Sequence, residues 1–185
     1  MENLLTGLIS SKTRIRLLIR LFLNPKTRAY LRGLASEFDV STNAVREELN
    51  QLTRTRLLKS FRRGRIVFYA ANSEHPLFSE LQSMVSKVIG VDQVIDGIIS
   101  RLGEIDCAYL IDDYAEGKDT GIVDLLLVGH INVHHLDDLR KKTERYIGRK
   151  IRTLVLTRKE FEHFRARWVD RPQLLIWGTG KFKAR

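Results

Sequence analysis

Apolar residues recur at helical spacing over the first third of the chain. The stretch "SSKTRIRLLIRLFLNP" spaces them as i, i+3, i+4 and i+7, and Pro25 ends the pattern. "AYLRGLASEF" repeats that spacing, and "STNAVREELNQLTRTRLL" carries a third stripe in Val45, Leu49 and Leu52. Ser41 stands at the N-cap position of this third helix. Asp39 and Val40 leave only a short turn between the second and third helices, and two helices joined in this way predict a helix-turn-helix.

The pattern then shortens to strand-like stretches. "LLKSFRRGRIVFYAAN" predicts two strands around a basic turn with Gly64 near its tip. Three helices followed by a hairpin predict a winged helix over residues 1–75. "HPLFSELQSMVSKVIG" returns to helical spacing and predicts a linker helix over residues 76–90, whose apolar face is either core or a dimer seam.

Strands alternate with helices over residues 91–185. Residues 91–102 continue as helix, and "DCAYLI", "VDLLLVG", "KIRTLVLT" and "QLLIWG" read as strands. The helix "HHLDDLRKKTERYIG" turns Leu136, Leu139, Thr143 and either Tyr146 or Ile147 inward. The sequence therefore predicts an α+β chain with a second, sheet-containing domain.

The positive charge lies almost entirely in the first part of the chain. Of the formal net charge of +10, residues 1–72 carry +9, from 14 Lys and Arg against 5 Asp and Glu. The remaining residues carry 18 against 17. A basic excess confined to one region is typical of proteins that bind a polyanion.

The third helix has the chemistry to read base pairs. The second helix of a helix-turn-helix lies in the major groove, where Arg can recognise guanine and Asn can recognise adenine. The outward residues, and hence the predicted base contacts, are Thr42, Asn43, Arg46, Glu47 and Asn50. The predicted contacts to phosphate or to the minor groove are Lys26, Arg28, Lys59, Arg62, Arg63 and Arg65.

This half resembles the winged-helix domains of ArsR- and MarR-like transcriptional regulators. The resemblance rests on "SKTRIRLLIRLFLNP", "LRGLASEFDVSTNAVREELNQL" and "LLKSFRRGRIVFYAAN". It implies binding to double-stranded DNA. Some members of that group sense metals through Cys or His clusters, but this sequence has no such cluster, so we expect neither metal nor cofactor.

The second half resembles the small nucleotidyltransferase domains of the polymerase-beta-like superfamily. The matching stretches are "AYLIDDYAEGKDT", "VDLLLVGHINVHHLDDL", "ERYIGRKIRTLVLTRKEF" and "RPQLLIWG". The resemblance implies a Gly-Ser pair that cradles a triphosphate and an Asp-x-Asp pair that holds two metal ions. Here Asp112 and Asp113 occupy the Gly-Ser position, and Asp124 is the one remaining member of the second pair. We expect these three to be the vestige of a nucleotidyltransferase site that has lost its activity.

Smaller signals favour ordinary structural roles. Cys107 is the one cysteine, which favours a buried residue and a reducing cytoplasm. The start of the chain lacks the features of a signal peptide, and no apolar run approaches the roughly 18 residues that cross a bilayer. "GTGK" at 178–181 lacks the rest of a phosphate-binding loop. His130, His134 and His135 are best explained as solvated residues.

These observations predict a cytoplasmic, homodimeric, DNA-binding transcriptional regulator. Its second domain would serve dimerisation, the sensing of a small-molecule effector, or the binding of a protein partner. Two alternatives stay open from the sequence: an active nucleotidyltransferase that the winged helix targets, and a partner-binding protein of the toxin–antitoxin type.

Overall fold

A computed structural model describes residue 5, residues 7–168 and residues 170–178 of the chain. The chain divides into two compact units, residues 1–88 and residues 89–185. Each unit is described by itself.

Three helices form the core of the first unit. They are α1 (Lys12–Phe22), α2 (Leu31–Phe38) and α3 (Thr42–Arg54). In α3 the whole predicted stripe of Val45, Leu49 and Leu52 is buried. α1 and α2 bury most of their predicted stripes, but Ile19 and Leu31 remain partly exposed. Burying such side chains contributes about 1.5–3 kcal/mol each, so packing of the stripes, more than helix propensity, holds the three helices together.

A three-stranded antiparallel sheet completes the first unit. The predicted hairpin is formed by β2 (Leu58–Arg63) and β3 (Ile66–Ala71), and β1 (Ala29–Tyr30) pairs with the other side of β3. The sequence did not predict β1, because two residues carry no periodicity and the strand exists only through its pairing with β3. Helix α4 (Phe78–Ile89) follows, and the boundary between the units lies at its last residues.

The second unit alternates helices with strands. Its elements are α5 (Val91–Val94), a π-helical turn (Ile95–Ile99), α6 (Ser100–Leu102), β4 (Ile105–Ile111), α7 (Asp112–Ala115), β5 (Ile122–Gly129), α8 (Val133–Ile147), β6 (Lys150–Leu156), α9 (Arg158–Trp168) and β7 (Gln173–Gly178). The fold of the whole chain is thus α+β, as predicted.

The sheet of the second unit is mixed and has the strand order β6-β5-β4-β7. β5 and β6 run parallel, joined through α8, whereas β4 is antiparallel to both of its neighbours. Phe161 and Trp168 of α9 pack with Cys107, Leu126 and Val128 on one face. Residues of the opposite face, such as Leu125 and Leu127, are also inaccessible, which explains the unbroken apolar run of β5.

The helical segment that precedes β4 packs closely on α8. A Cβ atom on Gly97 would lie 2.5 Å from the hydroxyl oxygen of Thr143, so only glycine allows this approach. Of the two residues left open at the end of α8, Ile147 is buried and Tyr146 is 76% exposed. No helix in the described ranges combines the length and the apolar content needed to cross a membrane.

Candidate nucleic-acid interface and acidic edge

The turn before α3 fixes where that helix begins. Asp39 adopts a left-handed conformation with φ of 53° and ends α2, which lets the chain reverse within two residues. The hydroxyl of Ser41 then accepts a hydrogen bond from the amide of Ala44 at 3.2 Å, the N-cap that the sequence predicts. The inward stripe of α3 is buried, so the opposite face of the helix is turned to solvent.

A contact that sequence reasoning missed ties α3 to α1. The guanidinium Nε of Arg14 donates to Glu48 at 2.7 Å, and the same side chain donates to Gln51. Glu48 and Gln51 therefore face α1 and are not available on the outer face. Their positions beside the buried stripe of α3 were the available signal, since side chains next to an inward row can reach a neighbouring helix.

All five predicted base-contact residues are exposed on this outer face: Thr42, Asn43, Arg46, Glu47 and Asn50. Nη1 of Arg46 donates to Oδ1 of Asn43 at 2.5 Å, so the two side chains with the strongest readout chemistry lie together. The arrangement leaves further guanidinium donors of Arg46 for another acceptor, because the group carries five N–H bonds. Their contact with bases stays a prediction.

The hairpin tip presents three arginines. Arg62, Arg63 and Arg65 are exposed, and Gly64 between them has φ of 61°, a conformation that favours glycine. The tip, residues 61–66, contains no acidic residue. Its positive charge is therefore not neutralised within the turn.

The other predicted phosphate contacts differ in their surroundings. Lys26 and Arg28 are exposed, and the guanidinium of Arg28 lies 5.4 Å from the ring centre of Phe61. Lys59 forms an exposed ion pair with Glu74 at 2.7 Å. That contact lowers the pKa of Glu74, first through the hydrogen bond from Lys59 and then through its charge. An exposed pair of this kind is weak, so phosphate can displace it.

Part of the basic excess is structural. Besides Arg14, Arg16 donates to the carbonyl oxygen of Phe38 at 2.6 Å, and buried Arg20 pairs with Glu37 at 3.1 Å. These arginines fasten α1 to its neighbours. Two of the five acids in residues 1–72 are thereby paired inside the unit, which leaves the exposed surface more uniformly basic than the composition indicates.

The three aspartates of the predicted vestigial site lie at one end of the second sheet, which we call the acidic edge. Asp112 and Asp113 directly follow β4, and Asp124 is the third residue of β5. β4 and β5 are neighbours, with Leu110 opposite Leu125. The strands thus bring the three aspartates to the same edge of the sheet.

Each aspartate of the acidic edge has a cationic partner. Asp124, whose side chain is 11% exposed, accepts two hydrogen bonds from Arg152, at 2.6 and 2.8 Å. Asp112 accepts two from Arg171, at 3.0 and 2.5 Å, and Asp113 pairs with Lys118 at 3.2 Å.

The strand order explains this pairing. Arg152 stands on β6 in register with Asp124 on β5, and Arg171 precedes β7, which lies beside β4. Arg152 on one outer strand and Arg171, just before the other, therefore flank Asp124 and Asp112 at the central strands. The hydrogen bond and charge of Asp124 raise the pKa of Arg152, and the charge of Asp112 adds to the effect.

The acidic edge is organised around guanidinium groups. Two metal ions would need the carboxylate oxygens that Arg152 and Arg171 now occupy. Among the described residues, no group of three or more His, Cys, Asp or Glu side chains is placed to hold a metal ion. His130, His134 and His135 are exposed.

The remaining residues singled out in the sequence are the cysteine, the GTGK segment and the two tryptophans. Burial raises the pKa of the Cys107 thiol to about 11, so the thiol stays protonated at neutral pH. Of the "GTGK" segment, all but Gly178 lies outside the described residues. Trp168 is buried in the core of the second unit and Trp177 is half-buried.

No protein-family model matches the sequence, and no curated protein matches it. Among solved structures, reduced HlyU from Vibrio cholerae is similar over 47% of this chain and 83% of its own, with 22% identity and a TM-score of 0.37. A double mutant of ZitR from Lactococcus lactis is similar over 46% of this chain and 59% of its own, with 21% identity and a TM-score of 0.36.

BldR from Sulfolobus solfataricus, a transcriptional regulator, is similar over 54% of this chain and 68% of its own, with 16% identity and a TM-score of 0.36. Matches at this level carry no argument about function. The chain's own geometry gives residues 12–71 the architecture of a winged helix: three helices, the last two joined by a tight turn, followed by a two-stranded hairpin.

Proposed function

We propose that the chain is a transcriptional regulator whose first unit binds double-stranded DNA. The observation that carries the proposal is the combination of an exposed polar face on α3 with three arginines, and no acid, at the adjoining hairpin tip. α3 enters the major groove, and the hairpin lies along the phosphate backbone or in the minor groove.

Sequence readout falls to the first turns of α3. Arg46 donates to the N7 and O6 atoms of guanine, and Asn43 recognises adenine or orients Arg46 through the hydrogen bond they share. Thr42, Glu47 and Asn50 complete the face. Lys26, Arg28, Lys59 and the three hairpin arginines supply the sequence-independent contacts that fix the register on the duplex.

A homodimer suits this mode of binding, because one winged helix offers few base contacts and operators are commonly two-fold symmetric. Helix α4 and the residue before it support the proposal, since Leu77 is 54% exposed and Leu81 and Met84 of α4 remain partly exposed. The apolar face that carries Leu77, Leu81 and Met84 is therefore not fully covered within the first unit.

The second unit acts as a non-catalytic domain for dimerisation, effector sensing or partner binding. The arginine pairs of the acidic edge support this role, because they occupy the oxygens that nucleotidyl transfer would use for metal ions. The site of action is the reducing cytoplasm, where a protonated and buried Cys107 needs no disulfide partner.

The test is selection of bound fragments from the source genome with the purified protein, followed by affinity measurements on the enriched site and on random duplex. Arg46→Ala should weaken binding to the enriched site by about 1–3 kcal/mol and binding to random duplex much less. Arg145→Ala, which removes an exposed cation from the second unit, is the matched control. Failure to enrich any sequence, or an equal loss on both duplexes, would contradict specific readout by Arg46.

A further inference from the structure

Three aromatic rings cross the sheet of the first unit in a single row. Tyr30 of β1 pairs in register with Phe68 of β3, and Phe68 pairs with Phe61 of β2. Their ring centres are 5.8 Å apart for Tyr30 and Phe68 and 5.9 Å apart for Phe61 and Phe68. We call these three residues the aromatic row.

The aromatic row lies on the outer face of the sheet. Side chains alternate between faces along a strand, and Phe61 and Phe68 are each three residues from the buried residues Leu58 and Ala71. They therefore point away from the helical core. Tyr30 is 41% exposed and Phe61 is 39% exposed, large values for aromatic side chains in a folded unit.

A glycine in α2 makes room for the first ring of the row. A Cβ atom on Gly33 would lie 3.0 Å from Cζ of Tyr30 and 3.1 Å from Cε1. Glycine inside a helix costs up to about 1 kcal/mol relative to alanine, so its presence here is explained by the ring beside it. The position of Tyr30 is thus set by the packing of its own unit.

Cations cluster at the Phe61 end of the aromatic row. Lys59 and Arg63 are each two residues from Phe61 along β2, so they share its face. Arg28 lies over the Phe61 ring. Ile66, opposite Arg63, is 45% exposed and extends the apolar surface. Flat apolar rings beside positive charges complement a ligand with flat apolar faces and negative charges.

We propose that the aromatic row binds the unpaired bases of single-stranded nucleic acid. Exposed aromatic side chains stack with bases of any sequence, while neighbouring cations contact the phosphates. A duplex hides the faces of its bases, so the rings distinguish this surface from the proposed duplex site, although both use Arg28, Lys59 and Arg63 for phosphate. An acidic protein could contact the positive charges but would leave the ring faces without a stacking partner. The net charge of +9 over residues 1–72 also favours nucleic acid as the ligand.

The full chain tests this proposal in fluorescence anisotropy with labelled single strands of about 20 nucleotides, at about 0.1 M salt. Oligothymidine and oligouridine are used in separate arms, which distinguish DNA from RNA as the source of the strand. A duplex of the same length is the third ligand. The variants are Phe61→Leu and Tyr30→Leu, which keep apolar bulk but remove the aromatic face, with Phe61→Tyr as the matched control that retains a ring.

We expect each leucine variant to bind at least one of the single strands about five- to 150-fold more weakly, the range that corresponds to 1–3 kcal/mol of stacking per base. Phe61→Tyr should bind within about twofold of the wild-type chain, and duplex affinity should be unchanged in all three variants. Unaltered single-strand affinity in both folded leucine variants would overturn the proposal. The two positions are tested separately so that a folding defect at one leaves the other informative.

Sedimentation of the same variants distinguishes another occupant. Dissociation of an oligomer by Phe61→Leu and Tyr30→Leu, without a loss of single-strand binding, would show that the row is an interface between copies and would overturn the proposal. The duplex arm separates this proposal from the preceding one, because Arg46→Ala should impair duplex binding and spare single-strand binding.

Discussion

The two units place arginine side chains in opposite electrostatic settings. At the hairpin tip of the first unit, Arg62, Arg63 and Arg65 are exposed within a turn that contains no acid. At the acidic edge of the second unit, Arg152 and Arg171 each donate two hydrogen bonds to an aspartate. The first group offers charge to a ligand, whereas the second is already engaged.

This difference shows that the balance of nearby acids, more than the number of arginines, decides what a basic residue can bind. A guanidinium held by a carboxylate must give up those hydrogen bonds before it meets a phosphate. An arginine in a turn without acids meets the phosphate at no such cost, and it adds to long-range attraction as well.

The largest effect is expected when the free arginines are removed. Replacing Arg62, Arg63 and Arg65 together with alanine should weaken binding to every duplex, specific or random. Each lost phosphate contact lowers the slope of log affinity against log salt by about 0.9, so the slope should flatten by up to about 3 units. Titrations of labelled duplex at several salt concentrations measure both quantities.

The matched control removes the same charge from the second unit. Lys142, Arg145 and Lys159 are exposed there and are replaced together with alanine. This control should keep most of the affinity and of the salt slope. Equal losses in the two triple variants would show that binding follows total charge, and the contrast between the units would fail.

A smaller effect is expected at the acidic edge. The wild-type protein with Mg²⁺ or Mn²⁺ and each nucleoside triphosphate should release no pyrophosphate and give no binding heat in calorimetry, because arginines occupy the aspartate oxygens. Asp124→Asn should leave duplex affinity unchanged and lower the unfolding midpoint by no more than about 4 °C.

One outcome would contradict the prediction that the second unit is catalytically inactive. Pyrophosphate release that disappears in Asp124→Asn would make the second unit an enzyme. Asp138→Asn removes one negative charge from an exposed position of α8 and is the control for a general effect of charge on stability.

The smallest effect concerns a further aspartate–arginine pair of the second unit. Burial alone would raise the pKa of Asp119, but the hydrogen bonds and charge of Arg149, with the amide of Gly121, lower it. A carboxyl group whose pKa is lower in the folded state stabilises the fold above its unfolded pKa of about 3.9. That contribution is lost as the pH falls through the lowered folded value.

Urea unfolding between about pH 6 and pH 3 should therefore show a smaller loss of stability for Asp119→Asn than for wild type, by at most about 1 kcal/mol, since Asp119 is partly exposed. Parallel curves for the two proteins would remove this pair from the acid response.

The sequence predicted the elements whose signals are local. The cap at Ser41 and the stripe Val45, Leu49 and Leu52 lie within one stretch of chain, and the structure forms both as predicted. The strands of the second unit were recognised for the same reason, since apolar runs such as "LLLV" reflect burial on both faces. The aspartates of the acidic edge were singled out through the resemblance to nucleotidyltransferase domains, and their role as a vestigial site stays a prediction.

Features that depend on distant partners could not be predicted. β1 exists through its pairing with β3, and the contact of Arg14 with Glu48 spans two helices. The Asp124–Arg152 pair requires the parallel register of β5 and β6, which no local pattern specifies. The π-helical turn at Ile95–Ile99 carries no periodicity of its own, and the contact of Gly97 with Thr143 becomes visible only in three dimensions.

The burial of Cys107 has a practical consequence. It is the one thiol in the chain, it is inaccessible, and its raised pKa keeps it protonated. Maleimides should therefore not react with it in the folded protein. A cysteine introduced at exposed Ser60 of β2, which is not among the proposed DNA contacts, would then be the single reactive thiol. A dye attached there would report on the hairpin alone, as ligands arrive and leave.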